Sequence, residues 1–454
     1  MFSTTDTIAA IATAAGRGAI GVVRISGPDA HTVGRAVLGR DAPLQARYAT
    51  FARVQLPSTG PTGVGDHVLA TFFPAPHSYT SEDTIEISAH GSPVVLASIL
   101  ETCVRHGARV AAPGEFTFRA YIHGRIELTQ AEAVADLVDS VTPLQARAAF
   151  DQLEGSLATA ICGLSDELLD LTARLEASLD FPEEGYHFAE PARVGEDVDR
   201  LRGAVRELLA TANEGRAIRE GRRVVIAGPA NAGKSSLFNR LAGLDRAIVS
   251  ATPGTTRDLL VEQISLGGVP VTLVDTAGLR ETDNDVEAEG VRRAELAAGT
   301  ADLTIIVLDR STPLGMEQRL LLRPLERARR LLVANKSDLP PAWTPANVGV
   351  DVACVTSART GAGLGELRTA ILTALGMEQG GGDLPRITNV RHVSLLRRVD
   401  EALSLVLDDL ATDATEEIVL QGLTAARASV EEISGVRTPE DVLNHIFSRF
   451  CIGK

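Results

Sequence analysis

The sequence predicts a multidomain fold of α/β and all-α parts: an N-terminal α+β domain, then a helical domain interrupted by an α/β domain whose parallel-type sheet is covered by helices. Three observations predict it. At 454 residues the chain is long enough for about three domains that each bury a core. Its central part alternates strand-like apolar runs with helical stretches, and on both sides apolar residues recur every three or four positions.

The N-terminal region mixes both kinds of element. The segments GAIGVVRISG and EDTIEISAHG have the composition of strands, and SPVVLASILETCVRHG has that of a helix ended by Gly107. We therefore expect an α+β domain over residues 1–121.

Two apolar stripes predict long amphipathic helices. We expect both stripes to be buried together, in one helical domain made of residues 122–218 and 381–454. The stripes consist of Leu153, Leu157, Ile161, Leu164, Leu168, Leu171, Leu175 and Leu179, and of Leu396, Val399, Leu403, Val406 and Leu410.

The predicted central domain covers residues 219–380. It lies between the change of composition in ANEGRAIREGRRVVIAG and the glycine-rich segment MEQGGGDLPRI, which is typical of a linker. Within it, RRVVIAG, VPVTLVDTAG, ADLTIIVLD, RRLLVANKSD and VACVTSA are strand-like.

The composition excludes several classes of protein. No apolar run is long enough for a membrane helix, and the first residues lack the basic start of a signal peptide, so we expect a cytoplasmic protein without membrane contact. Cys103, Cys162, Cys354 and Cys451 show no zinc or disulfide spacing. Because the net charge is −15, any contact with RNA must be local or shared with a partner.

The segment GPANAGKSS predicts a phosphate-binding loop. Gly228, Gly233, Lys234 and Ser235 have the spacing of a P-loop and lie between a strand and a helix. Glycines let the backbone fold around a phosphate, and the helix N-terminus favours an anion. Lys234 would contact the outer phosphates, and Ser235 would bind magnesium.

Four further segments complete the predicted nucleotide site, and one of them selects guanine over adenine. LVDTAG places Asp275 at a strand end near magnesium, and Asp338 of VANKSD can accept both N–H groups of guanine that adenine lacks. TSARTGAG would meet the base, and SATPGTTRD would act as a switch in which Thr256 binds magnesium. The predicted GTP-binding residues are Asn231, Ala232, Gly233, Lys234, Ser235, Ser236, Ser250, Ala251, Thr252, Pro253, Gly254, Thr255, Thr256, Asp275, Thr276, Ala277, Gly278, Asn335, Lys336, Asp338, Ser357, Ala358 and Arg359.

This order of motifs resembles a Ras-like P-loop GTPase of the translation-factor-related class. Leu279 stands where Ras-like enzymes have the glutamine that orients water, so hydrolysis needs another device. Asn231 and the acidic stretch that contains Glu287 are two candidates. From chemistry alone, both remain equally open to a structural explanation: Asn231 as a turn cap and Glu287 as a solvated helix residue.

Over its whole length the chain resembles the MnmE (TrmE) family of tRNA modification GTPases. The resemblance rests on DTIAAIAT, GRGAIGVVRISGPDA, SEDTIEISAHG, PGEFTFRAYIHGRIELTQAEAVADL, GTTRD, DTAGLRE and the terminal FCIGK. It implies an N-terminal domain that binds folate and forms a homodimer. It also implies potassium-dependent GTP hydrolysis and action with the flavoprotein MnmG, in a heterotetramer, on the wobble uridine of certain tRNAs. Contact with tRNA would be shared with MnmG.

The resemblance also implies roles for individual residues and favours a functional role for Glu287, as the catalytic residue that orients water. The implied potassium ligands are Asn231, Ser250, Thr252 and Thr255, and the implied magnesium ligands are Ser235 and Thr256. Residues matching the site for a tetrahydrofolate derivative, 5-formyl- or methylene-tetrahydrofolate, are Arg24, Glu86, Arg125 and Lys454.

The segment DVLNHIFSRFCIGK is expected to form a helix that runs to about Phe450 and packs on the long helices. The last four residues would then lie against the N-terminal domain, with Lys454 close to the ligand. Cys451 is a candidate functional thiol, and its role could be chemical or only structural.

Two other functions compete with this interpretation. A ribosome-assembly GTPase would be expected to carry a basic RNA-binding module, and this chain instead ends in an acidic helical region. A scaffold that binds nucleotide without turnover would release no phosphate, even in potassium.

Overall fold

The computed structural model describes residues 5–55, 65–180, 190–244, 260–275, 301–315, 318, 329–345, 352–377 and 385–454. The chain divides into two compact units. The first consists of Met1–Ala135, Gln152–Val198 and Glu401–Lys454, and the second of Asp136–Asp151 and Asp199–Asp400. The boundaries at 1–121, 122–218, 219–380 and 381–454 stay a prediction.

The described strands, numbered in chain order, are β1 Ile8–Ile11, β2 Ile20–Ser26, β3 Thr50–Gln55, β4 Gly65–Phe73, β5 Thr84–His90, β6 Arg109–Val110, β7 Arg222–Ala227, β8 Leu260–Leu266, β9 Val269–Asp275, β10 Leu303–Asp309, β11 Arg330–Asn335 and β12 Cys354–Val355. The described helices are α1 Ala30–Val37, α2 Pro93–Arg105, α3 Glu115–Ile122, α4 Leu128–Val138, α5 Pro143–Leu153, α6 Ser156–Asp180, α7 Pro191–Ala210, α8 Ala212–Glu220, α9 Lys234–Leu244, α10 Leu364–Ala374, α11 Val390–Ala411, α12 Glu416–Ser434 and α13 Glu440–Phe447.

The first unit contains a mixed sheet of strand order β3-β4-β5-β2-β1-β6. Neighbouring strands are antiparallel except β1 and β6, which are parallel. Apolar residues of α1 and α2, among them Val33 and Ile99, are buried with sheet residues such as Ile25 and Ile87 in one core. The predicted strands at β2 and β5 and the predicted helix α2 are confirmed, as is the α+β class of this region.

Helices α6 and α12 pack along each other in the same unit. On α6 the predicted stripe is buried from Leu157 to Leu175. A Cβ built on Gly422 of α12 would lie 2.4 Å from Cγ2 of Val406, so α11 and α12 approach too closely there for any side chain. The prediction that Leu153 belongs to the α6 stripe is wrong: Leu153 ends α5, and Glu154 and Gly155 separate the two helices.

The second unit contains a sheet of order β12-β11-β10-β7-β9-β8. Its strands are parallel except β8, which forms an antiparallel hairpin with β9. Alternate residues of β10 face opposite sides of the sheet: Ile305 packs with Phe238 of α9 in one core, and Ile306 packs with Trp343 in the other. The predicted parallel sheet covered by helices is confirmed, whereas β8 was not predicted.

None of the helices in the described ranges is long and apolar enough to cross a membrane.

Candidate functional site

The P-loop joins the end of β7 to the start of α9. Gly233 precedes α9 with φ +94°, and a Cβ built on it would lie 2.3 Å from Nδ2 of Asn335. Only glycine fits this position. Asn231 also has a positive φ, of +62°, and its side chain is exposed. Close turns of this kind present backbone N–H groups to an anion, and phosphate binding by this loop stays a prediction.

Lys234 and Ser235 begin α9. The Lys234 ammonium donates a hydrogen bond to the Pro229 carbonyl at 2.8 Å, across the base of the loop. Asp275 is buried at the end of β9 and is the register partner of Ile226, one residue before the end of β7. A hydroxyl at a helix start and a carboxylate at a neighbouring strand end are the donors that a P-loop magnesium site uses, so these residues fit that ion.

Asn335 links the P-loop to the last predicted nucleotide-binding segment. Its buried side chain donates from Nδ2 to the Ala232 carbonyl at 2.9 Å. Oδ1 accepts the backbone N–H of Ala358 at 3.0 Å. The amide thus holds two loops of the site together, and neither a carboxylate nor a shorter side chain could make both bonds.

Asp338 and Ser357 lie together at the same sheet edge. The Ser357 hydroxyl donates to Oδ1 of Asp338 at 2.6 Å and accepts the N–H of Thr360 at 3.1 Å. The hydrogen bond from Ser357 lowers the pKa of Asp338, and the charges of Arg359 and Lys336 lower it further. Asp338 is therefore ionised at neutral pH, as acceptance of two N–H groups from guanine requires.

Lys336 has an ion-pair partner that the sequence analysis did not single out. Its ammonium lies 2.6 Å from Oδ2 of Asp309, at the end of β10. The signal available in the sequence was the position of Asp309: a carboxylate that closes a parallel strand lies at the edge where α/β sheets bind ligands.

Part of the predicted nucleotide site lies outside the described residues. These positions are Ser250, Ala251, Thr252, Pro253, Gly254, Thr255, Thr256, Thr276, Ala277, Gly278 and Glu287.

A second group of predicted residues meets in the first unit. Arg24 of β2 and Glu86 of β5 are register partners, and the Arg24 guanidinium contacts Oε1 of Glu86 from both Nε, at 2.9 Å, and Nη2, at 2.8 Å. The guanidinium also lies over the rings of Tyr79 and Phe116, with its Cζ 5.2 and 5.6 Å from the ring centroids. These rings, which the sequence analysis did not single out, position Arg24 by cation–π contact.

The terminal segment Cys451–Lys454 docks beside Arg24. Two N–H groups at the start of α3 bind it: Gly114 donates to the Cys451 carbonyl at 3.4 Å and Phe116 to the Lys454 carbonyl at 3.2 Å. Nη1 of Arg24 donates to the Gly453 carbonyl at 3.4 Å. The expectation that these four residues lie against the N-terminal domain is confirmed.

Helix α13 leads into this segment. It was expected to run to about Phe450 and to pack on the long helices, and both details are wrong. The helix ends at Phe447, which is buried against Phe118 of α3 and Leu128 of α4. The aromatic side chains of α3 explain the difference, because Phe447 and Phe450 both pack against them in one cluster.

A buried ionic network supports α3. Arg119 is fully buried and donates to Asp6 at 2.7 Å, to Glu82 at 3.1 Å and to Glu115 at 3.1 Å. Arg109 contacts Glu115 and Asp6, and chiefly through its hydrogen bond it holds the pKa of Asp6 below the usual range. Because an unpaired charge here would be costly, the network fixes the helix end that holds the terminal segment.

The remaining predicted residues of this group are less tightly held. Lys454 is half-buried, whereas Arg125 and Cys451 are exposed. Within the described part of the chain, the Arg125 side chain makes no hydrogen bond or ion pair, so none joins it to Arg24 or Glu86.

The chain is similar to known proteins over its full length. The family model described as GTP-binding protein TrmE N-terminus matches residues 7–125, and the family model described as MnmE helical domain matches residues 128–451. The tRNA modification GTPase MnmE of Koribacter versatilis is 43% identical over 99% of each chain. The protein of the same name from Bordetella petrii is 43% identical over 100% of this chain and 99% of its own.

Among solved structures, the G domain of the T. maritima FeoB iron transporter is 30% identical over 34% of this chain and 98% of its own, with a TM-score of 0.26.

Proposed function

The chain belongs to the MnmE family of tRNA modification GTPases, and from this premise we propose that it is a potassium-dependent GTP hydrolase that acts with the flavoprotein MnmG. Together they would take part in carboxymethylaminomethyl modification of the wobble uridine of certain tRNAs. The one-carbon unit would come from a folate.

The observation that carries the GTPase proposal is the meeting of the nucleotide motifs at one sheet edge. The P-loop follows β7, Asp275 ends β9, Asn335 ends β11 and Ser357 follows β12. Side-chain hydrogen bonds of Asn335 join the first and last of these segments. In a parallel sheet, the carboxyl ends of the strands form the ligand-binding edge.

We assign the parts of GTP to these residues by chemistry. The P-loop N–H groups and Lys234 would hold the phosphates, and Asp338 would accept both N–H groups of guanine. Ser235 and Thr256 would bind Mg²⁺, which neutralises charge on the phosphates. The resulting selectivity for guanine depends on Asp338 being ionised.

Hydrolysis is proposed to depend on potassium and on Glu287. Asn231 stands exposed on the P-loop in a left-handed conformation, so its amide oxygen is available to a cation beside the phosphates. Ser250, Thr252 and Thr255 would complete the ion's ligands. Potassium supplies positive charge between the phosphates, and Glu287 would orient the attacking water.

The folate is proposed to bind beside Arg24. Both contacts between Arg24 and Glu86 go to Oε1 of Glu86, and among the described residues no protein group hydrogen-bonds to Oε2. Oε2 could therefore accept N–H groups of a pterin ring. Lys454 and Arg125 would then pair with the anionic glutamate tail of 5-formyl- or methylene-tetrahydrofolate.

The proposed partners are a second copy of this chain, MnmG and tRNA. Phe51 and Leu69 are register partners on β3 and β4 at the edge of the sheet, and they are 66% and 48% exposed. Such an apolar pair supports a homodimer through the N-terminal domains. Because the net charge is −15, contact with tRNA would be shared with MnmG. The complex is proposed to be cytoplasmic.

Cys451 is proposed as a functional thiol. Its carbonyl holds the docked segment, whereas its side chain is exposed and so contributes little packing. Cys451→Ser is expected to reduce tRNA modification and leave GTP hydrolysis unchanged. Equal tRNA modification by Cys451→Ser and by the unaltered chain would exclude a role for the thiol in the mechanism.

The GTPase proposal is tested by measuring phosphate release from GTP in buffers that differ only in potassium or sodium. Turnover is expected to rise strongly in potassium and to be absent in Lys234→Ala. Equal turnover in the two salts would reject the role of potassium, and no turnover in either salt would favour a nucleotide-binding scaffold.

A further inference from the structure

Asp309 lies at the end of β10, opposite Asn335 in the register of β10 and β11. Its carboxylate accepts three hydrogen bonds: from the Lys336 ammonium at 2.6 Å, the Ser311 hydroxyl at 2.6 Å and the Ser311 N–H at 2.8 Å. Burial raises the pKa of Asp309, but the bonds from Lys336 and Ser311 outweigh it and lower the pKa overall. The carboxylate is thus ionised and fixed in direction.

The backbone around Asp309 is held as firmly as the carboxylate. The Asp309 carbonyl accepts the indole N–H of Trp343 at 2.9 Å. The N–H of Arg310 donates to the Asn335 carbonyl at 3.0 Å. An acceptor held by so many bonds can fix a flexible partner at little cost in entropy.

Lys336 is that flexible partner, and it is placed within the proposed base site. It has φ +64°, which is uncommon for a residue with a Cβ and occurs often at functional sites. Its charge lowers the pKa of Asp338, the residue proposed to bind guanine. With the ammonium held by Asp309, the apolar stem of Lys336 cannot rotate freely into solvent.

We propose that Asp309 is a positioning residue of the guanine-nucleotide site, which anchors Lys336 so that its apolar stem forms a wall for the purine ring. Lysine commonly packs its methylene groups on an apolar surface while its ammonium stays in a polar setting. This inference rests on the proposed function and adds a residue from β10 to the site. Asp309 itself would not contact the nucleotide.

Binding of fluorescently labelled GDP to the full-length chain tests this inference. Asp309→Asn keeps the shape of the side chain and removes its charge, and it is expected to raise the Kd about fivefold, as befits a partly exposed ion pair. Lys336→Met keeps an apolar stem without the ammonium. In the Lys336→Met background, Asp309→Asn is expected to have no further effect, because Asp309 acts through the ammonium.

Two further measurements separate positioning from general damage. Competition by IDP, which lacks the amino group facing Asp338, is expected to weaken by the same factor as GDP in Asp309→Asn. A changed ratio of GDP to IDP affinity would mean that Asp338 is disturbed, which would overturn the inference. Asp302→Asn is the matched control: it makes the same change just before β10 begins and is expected to bind GDP normally.

The outcomes distinguish the role of Asp309 from the proposed binding of guanine nucleotides on which it rests. No binding of GDP by the unaltered chain would overturn both. Two results would overturn only the role of Asp309. One is an unaltered chain that binds GDP and an Asp309→Asn variant with the same Kd. The other is a double variant in which the increases in Kd from Asp309→Asn and Lys336→Met multiply. If Asp309→Asn does not fold, the Kd of Lys336→Met for GDP tests the inference by itself. An unchanged Kd in Lys336→Met would overturn the inference, because the ammonium that Asp309 holds would then not affect binding.

Discussion

Gly453→Ala should release the terminal segment from the N-terminal domain. Gly453 is buried with φ +94°, and a Cβ added to it would lie 2.3 Å from the Ile11 carbonyl oxygen and 2.8 Å from Cα of Ala12. Both neighbouring atoms belong to the backbone, one in the last residue of β1 and the other in the residue after it. No side-chain rotation can relieve this clash, so the segment has to move away.

The contacts on each side allow the magnitude to be worked out. The left-handed conformation alone costs an alanine about 1–2 kcal/mol, and overpacking against the fixed backbone adds about 1–3 kcal/mol. Docking is held by the three hydrogen bonds that Gly114, Phe116 and Arg24 donate to the segment. At about 1 kcal/mol each, they contribute about 3 kcal/mol, which strain plus clash would exceed. The undocked form should therefore predominate.

Folate affinity reports this change, because Lys454 is part of the proposed site. Titration with 5-formyl-tetrahydrofolate is expected to give a Kd at least about tenfold higher for Gly453→Ala, since only the docked fraction binds with full affinity. Gly107→Ala is the matched control: Gly107 has φ +103° with no atom within 4 Å of an added Cβ. It should lose about 1–2 kcal/mol of stability and bind folate normally.

Unchanged folate affinity in Gly453→Ala would refute this reasoning, because the docked segment would then not belong to the site. Equal loss in Gly453→Ala and Gly107→Ala would also refute it, since strain rather than position would then explain the effect.

Three further predictions concern the nucleotide site. Asp338→Asn should bind GDP more weakly and xanthosine diphosphate more tightly, because an amide donates where the carboxylate accepts; unchanged affinities for both would contradict the base assignment. Because Ser357 lowers the pKa of Asp338, affinity for GDP should be kept at neutral pH and lost as the pH falls through that lowered pKa. Ser357→Ala should move this loss of affinity to higher pH. The same dependence of GDP affinity on pH in Ser357→Ala and the unaltered chain would show that Ser357 does not lower the pKa of Asp338. Glu287→Ala should keep the wild-type Kd for GDP and lose GTP turnover, and retained turnover would exclude Glu287 as the catalytic residue.

The sequence predicted most where one local rule decides the structure. The P-loop between β7 and α9, the strand ends that carry Asp275 and Asn335, and the end of α2 before Gly107 each follow from neighbouring residues alone. The burial of the α6 stripe likewise follows from its period.

What the sequence could not predict depends on partners far along the chain. Arg24 lies 92 residues from Phe116 in the numbering, and their cation–π contact forms only when α3 packs beside β2. Asp309 and Lys336 meet because β10 and β11 are neighbours, which spacing alone does not reveal. Strand β8 is an antiparallel edge strand in an otherwise parallel sheet, so the alternation of strands and helices did not indicate it.

The central claim, that this chain acts in tRNA modification by means of GTP hydrolysis, is tested most directly by mass spectrometry of wobble uridines. The tRNA would come from cells that lack the protein and from the same cells supplied with the unaltered chain or Glu287→Ala. We predict that the carboxymethylaminomethyl group is lost without the protein and restored only by the unaltered chain. Persistence of the modified base in cells that lack the protein would contradict the claim.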